Sequence, residues 1–229
     1  MKLLNAGNAK TSKGEKLGYK TYGIHLSPSN KSGFQVCKWA SRGCRAACLD
    51  TAGRGAMSNV QSARIAKTRF LFEDRKGFLN QLRKEIKSAT RSAEKANLVP
   101  CFRLNLTSDF EWETTSIFEE FRHVQFYDYT KSADRMTSFL EGNQAPNYHL
   151  TFSRSDKPGS DLVCKGFLKA GGNVAVVFRG SLPKTWQGFP VIDGDNTDLR
   201  FLDGHSKVVG LVEKGLAKRD ETGFVVEPS

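Results

Sequence analysis

Apolar residues follow helical spacing in one long stretch of this chain and strand spacing in several short ones. Within residues 58–95, Phe78, Leu79, Leu82 and Ile86 fall three and four positions apart with cations between them, which predicts an amphipathic helical region. The stretch 74–77 breaks that region, and Pro100 ends it, because the residue before a proline avoids helical geometry. A short apolar run at 22–26 predicts the first strand. Further runs at 102–106, 124–129, 148–153, 173–178, 190–193 and 208–212 predict strands, with helices between them near 115–121, 132–140 and 161–170. Strands alternating with helices give βαβ units, so the expected fold class is α/β with mostly parallel strands, a small or partial (βα) barrel. The length suits one domain over residues 1–229, with 1–20 an irregular leading segment.

Polar residues collect where these strands end. The strand at 102–106 carries Arg103 and Asn105 and runs into Ser108, Asp109, Glu111, Trp112 and Glu113. The strand at 124–129 carries Tyr127 and Asp128 and runs into Lys131, and that at 148–153 ends on Ser153 and Arg154. In parallel α/β folds the C-terminal edge of the sheet is where active sites assemble. Asp109, Glu111, Glu113, Asp128 and Lys131 are therefore the expected catalytic groups, with Asp109 as acid, base or nucleophile. Arg103, Asn105, Ser108, Trp112, Tyr127, Ser153 and Arg154 are the expected substrate contacts, the two aromatic rings by stacking on a base. The acidic run at 193–198 has oxygen-rich spacing that fits either a cation loop or an Asx turn.

Three of the five cysteines, Cys37, Cys44 and Cys48, sit within twelve residues, after the first predicted strand. Thiolates in such a cluster hold zinc or an iron–sulfur cluster, and three of them leave one coordination position open. Lys38, Arg42 and Arg45 beside them favour deprotonation. Cys101 starts a strand, and Cys164 falls on an apolar helix face as a core residue.

Charge is unevenly spread. Residues 1–100 hold 20 Lys and Arg against 6 Asp and Glu, whereas the rest hold 15 against 18. The basic half predicts a polyanionic partner, nucleic acid, DNA in preference to RNA. No apolar run reaches the ~20 residues that cross a bilayer, and no signal peptide is read at the start, so the expected location is the cytoplasm, with no membrane partner.

The run Cys37-Lys-Trp-Ala-Ser-Arg-Gly-Cys44-x-x-Ala-Cys48-Leu-x-Thr-Ala-Gly-Arg54 resembles the cysteine signature of the phage gene 88 protein family, a group of bacteriophage and plasmid proteins. The likeness continues through Ala63-Arg64-x-x-Lys67-Thr68, Arg103-Leu-Asn105-x-x-Ser108-Asp109-x-x-Trp112-Glu113 and Tyr127-Asp128-Tyr129-Thr130-Lys131, over residues 20–225. It implies a phage or mobile-element setting, hence the host-cell cytoplasm, rather than a mechanism. A looser similarity is to radical-SAM enzymes, which place a three-cysteine loop after the first strand of a partial (βα) barrel, although the spacing here, Cys-x6-Cys-x3-Cys, departs from theirs. Guanine transglycosylases are an analogy only, through a barrel, an aspartate and a zinc whose ligands come late in the chain. Together these readings predict a phage-type metal- or iron–sulfur-dependent enzyme that modifies a nucleic-acid base. The alternatives are an iron–sulfur enzyme acting on a small molecule, and a non-catalytic zinc-containing protein that binds nucleic acid or opposes the host.

Overall fold

A computed structural model describes residues 1–6 and 11–228. In chain order its elements are β1 (Asn5–Ala6), β2 (Tyr19–Gly23), α1 (Arg42–Ala46), α2 (Ser58–Glu73), α3 (Arg75–Lys95), β3 (Val99–Arg103), α4 (Ile117–Glu120) and β4 (Gln125–Thr130). There follow α5 (Ala133–Leu140), β5 (Tyr148–Ser153), α6 (Ser160–Lys169), β6 (Val174–Phe178), β7 (Thr185–Trp186), β8 (Phe189–Asp193), β9 (Val208–Val212) and β10 (Val225–Val226). The fold class is α/β with mostly parallel strand pairs; β1 with β2 and β7 with β8 are antiparallel.

The chain forms two compact units that interleave in sequence. One comprises Met1–Lys38, Ala56–Asp128 and Ala145–His149, the other Trp39–Gly55, Tyr129–Gln144 and Leu150–Ser229. In the first, the strand order is β1-β2-β3-β4. Its core is a run of aromatic rings: Tyr22 stacks on Phe102 at 5.6 Å, Phe102 meets Phe126 at 5.5 Å, and Phe118 bridges Phe126 at 4.9 Å and Tyr148 at 4.1 Å. In the second, the order is β5-β6-β9-β8-β7, with β10 parallel to β6, around buried Leu150, Val174, Val176, Phe178, Val208 and Val209.

The break expected at 74–77 is a capping event. Asp74 accepts the Gly77 N–H at 2.8 Å and starts α3 as its N-cap. The far end of α3 stops on Asn97, which takes a left-handed φ of 54°. Its N–H bonds to the Glu94 carbonyl and the Leu98 N–H to that of Ala93, the paired bonds of a Schellman motif.

Three expectations shift. β2 and β3 each begin three residues earlier than their apolar runs suggested, so Pro100 lies inside β3. It is tolerated because it sits beside Lys20 in register while pairing with β4 begins only at Cys101, so no ladder bond to β4 is lost. The helix expected at 115–121 shrinks to α4 after a 3-10 turn at Trp112–Thr114. The segment 1–20, expected to be irregular, contains β1 and a 3-10 helix at Thr11–Leu17, and Leu3 and Leu4 are buried. The strand before the cysteine run is β2 rather than the first. Among the described residues no helix is long and apolar enough to cross a membrane.

Candidate functional site

In the first unit the segment leaving β3 is organised by one amide. The Asn105 side chain accepts from Ser108 Oγ at 2.7 Å, the Phe110 N–H at 2.9 Å and Trp112 Nε1 at 3.2 Å. It donates to the Phe110 carbonyl at 2.9 Å and to Asp128 Oδ2 at 3.3 Å. Asp128, on β4, also accepts the Asn105 N–H at 2.8 Å and the Tyr148 hydroxyl at 3.3 Å. Asn105 and Asp128 are 2% and 1% exposed, and this buried network fixes the course of residues 105–112.

That course brings the acidic loop against the first cysteine. The Val36 carbonyl accepts the Asp109 N–H at 2.9 Å, and the Cys37 thiol donates to the Thr107 carbonyl at 3.9 Å. Lys38 Nζ pairs with Glu111 Oε2 at 2.8 Å. Thr107 Oγ1 in turn donates to the Leu26 carbonyl at 2.6 Å, and the Ser27 N–H donates to Thr68 Oγ1 at 2.8 Å. The segments 26–27, 36–38 and 107–111 and the α2 residue Thr68 are thus joined beyond the ends of β2 and β3. Asp109 and Glu113 are half-buried there.

The Arg64 and Lys67 motif residues lie on the buried face of α2. Lys67 donates to the Leu3 carbonyl at 2.9 Å, and burial pushes its pKa below the ordinary lysine value, with Glu85 opposing.

Two expected substrate contacts need correction. Trp112 and Tyr127 are both completely buried, so neither ring presents a face to a base. Trp112 packs on Phe78 and Phe110, and the Tyr127 hydroxyl meets Thr21 Oγ1 at 3.3 Å.

In the second unit the cysteine segment is seated on the end of the chain. Ser41 caps α1 by accepting the Cys44 N–H at 3.2 Å. The Gly43 N–H donates to Asp156 Oδ2 at 3.0 Å. A methyl group at Gly43 would lie 2.1 Å from Thr222 Oγ1 and 2.7 Å from Phe224 Cβ, so only glycine fits. Ala47 is buried with Ala217 and Val225. Cys44 and Cys48 are partly exposed, and Cys48 leads into a 3-10 turn whose Thr51 returns N–H and hydroxyl to the Cys48 carbonyl at 3.2 and 2.9 Å.

Burial would raise the Asp156 pKa, but bonds from the Ser41 hydroxyl and the Gly43 N–H, with the Lys131 charge, hold it below the ordinary carboxylate value. Asp220 behaves alike: burial opposes ionisation, while the Val225 N–H at 2.9 Å and the Thr222 hydroxyl at 2.7 Å favour it and win. A cleft of about 530 Å³ opens here, lined by Arg42, Asp156, Arg219, Asp220, Glu221 and Thr222 among others.

Lys131 and Arg154 hold structure in this unit. Lys131 Nζ donates to Ser153 Oγ at 2.9 Å and to the Arg154 carbonyl at 2.6 Å, and it lies 5.0 Å over the Phe224 ring. Arg154 pairs with Asp161 at 2.5 Å and donates to the Gly223 carbonyl at 2.6 Å. The acidic run at 193–198 forms an Asx turn, the Asp195 N–H on Asp193 Oδ1 at 2.8 Å, with Asp195 paired to Lys214. Cys164 is a core thiol whose pKa burial pushes up to about 12.

Sequence reasoning gave no role to Gly43, Asp220, Thr222 or Phe224. Ser41 is of a residue type that caps helices, and it marks the start of α1.

Of the expected metal ligands, Cys37 belongs to the first unit and Cys44 and Cys48 to the second. Among the described residues no group of three or more His, Cys, Asp or Glu side chains is placed to hold a metal ion.

Comparison with curated proteins and with solved structures yields no match. The model of one family, gene product 88, matches residues 2–228, nearly the full chain and every segment of both units described above. The chain is therefore a member of the gene product 88 family, the phage family that its cysteine run resembles.

Proposed function

We propose that this protein is a phage enzyme that modifies a nucleic-acid base in the host-cell cytoplasm, with its acid–base chemistry on the loop 107–113 of the first unit. The observation that carries the reading is the packing of the Cys37 segment against that loop, through Val36 to Asp109, Cys37 to Thr107 and Lys38 to Glu111. It puts a thiol, a half-buried carboxylate and an ion pair in one place, at the strand ends where parallel α/β enzymes assemble their sites. Asp109 is the acid or base, and the basic first hundred residues track phosphates. The stepwise order β2-β3-β4 is compatible with a small or partial (βα) barrel and equally with one half of a doubly wound sheet.

Cys37, Cys44 and Cys48 would hold zinc or an iron–sulfur cluster, supplying Lewis-acid or redox chemistry. Their clustering in sequence and the cations around them support this, and no step is routed through a metal. Metal and sulfide analysis of anaerobically purified protein tests the cofactor.

The activity is tested by expressing the wild-type chain and Asp109→Asn in bacteria, digesting host DNA and RNA to nucleosides, and weighing them by mass spectrometry. A new nucleoside that depends on the wild-type chain and disappears with Asp109→Asn is the expected result. The same product from both proteins removes Asp109 from the chemistry.

A second reading, an enzyme acting on a small molecule, draws on the cleft bounded by Arg42, Asp156 and Arg219, which is of ligand size.

A further inference from the structure

The first unit carries a partly exposed aromatic cluster beside the acidic loop. Phe34 and Phe72 lie face to face, ring centres 4.6 Å apart and planes within 6°. Phe110 meets Phe72 edge-on at 6.0 Å. These rings are only partly covered: Phe34 and Phe110 are half-buried and Phe72 is 38% exposed. A phenylalanine on a helix surface that is mostly polar forfeits burial that its apolar area would otherwise gain.

The surroundings are cationic. The Arg75 guanidinium lies 5.9 Å over the Phe110 ring and donates to Thr114 Oγ1. Arg69 donates to the Ser32 carbonyl, two residues before Phe34, and both arginines are exposed. Lys31, Lys38 and Lys76 are exposed on the same segments. Of the carboxylates on these segments, Asp74 caps α3 and Glu111 pairs with Lys38, while Glu73 is exposed beside Phe72 and Asp109 and Glu113 are half-buried. Partly exposed rings beside exposed cations are the composition of a surface that holds unpaired nucleotides.

We propose that Phe34, Phe72 and Phe110 form a stacking platform for the bases of a single-stranded nucleic acid, with Arg69 and Arg75 on its phosphates. This deepens the nucleic-acid reading and rests on it. Phe110 stands between Asp109 and Glu111, so a strand laid on the platform delivers its next base to the acidic loop. The platform takes over the stacking role that burial denies to Trp112 and Tyr127. It reads no sequence, because every base has a π-face, and it refuses duplex, whose bases are already stacked.

The test uses the full-length protein and fluorescence anisotropy with three labelled probes: an oligothymidylate of about 12 nucleotides, an abasic strand with the same number of phosphates, and a duplex of the same length. The wild type is expected to bind the base-bearing strand about tenfold or more tighter than the abasic one, the scale of stacking energies, and tighter than the duplex. Phe72→Ala, and independently Phe34→Ala, should erase the preference for bases while leaving abasic binding and the melting temperature unchanged. Equal wild-type binding to base-bearing and abasic strands overturns the platform and leaves the nucleic-acid reading standing. So does an unaltered preference in a folded variant. Failure of the wild type to bind any of the three probes overturns both. The wild-type comparison of the two strands decides the matter even where a variant does not fold.

Discussion

The two units hold their polar loops by opposite means. In the first, Asn105 and Asp128 are buried, and residues 105–112 follow the bonds these two side chains make. In the second, the cysteine segment is held by fit and by carboxylates less deeply buried than that of Asp128: the bare Gly43 against Thr222 and Phe224, and the half-buried Asp156 and the 8% exposed Asp220 on backbone N–H groups. A buried polar network loses its whole desolvation balance when one member goes, whereas an exposed one can substitute water. Candidate catalytic residues can therefore be sorted by burial. Asp128, expected to be catalytic, is buried on β4 and anchors residues 105–112, while Asp109 on that loop is half-buried.

The sharpest way to break this contrast is Asp128→Ala. It strands the Asn105 amide and the Tyr148 hydroxyl in the core, and it should cost about 3 kcal/mol or more in urea unfolding. A loss under about 1 kcal/mol would mean that the network is not the hinge of the first unit.

Gly43→Ala comes next. Its methyl collides with Thr222 and Phe224, and overpacking of this kind costs about 1–3 kcal/mol. Adding Thr222→Ala should recover part of the loss, since the nearest colliding atom is removed while Phe224 Cβ stays.

The smallest effect is that of pH. Asp156 and Asp220 have depressed folded-state pKa values, so their stabilisation is fully present above the ordinary aspartate value near 4 and fades as pH falls through the lower folded values. Hydrogen exchange, corrected for intrinsic rates, should speed up in 41–48 and 220–226 between pH 5 and pH 3, while 105–112 changes less. Equal loss of protection in both regions would erase the distinction.

Much of this was legible in the sequence, and what was not has physical reasons. The long helices α2 and α3, the break between them and most of the larger strands follow from spacing, capping residues and proline. The face of a residue on β4 does not: four of its six residues from Gln125 to Thr130 are buried, Phe126, Tyr127 and Asp128 in succession, because strands of a parallel sheet are packed on both faces. That is why Tyr127 and Asp128, adjacent on the strand and so on opposite faces, are both buried. α2 hides its buried side differently, since Arg64, Lys67 and Thr68 occupy positions that apolar periodicity would assign to the core. The seat of the cysteine segment was invisible because β10 is two residues long and 213–224 has no apolar period.

The interleaving of the units carries a cost during synthesis. The first cannot be completed until the ribosome has passed residue 149, and the second draws on residues from 39 to the far end of the chain. No contiguous fragment holds one unit without also carrying parts of the other, so a deletion series would report on failed assembly rather than on which half binds or reacts. Early nascent chains expose Leu3 and Leu4, and leave β2 unpaired before β3 exists, so apolar side chains and an open strand edge are presented during synthesis.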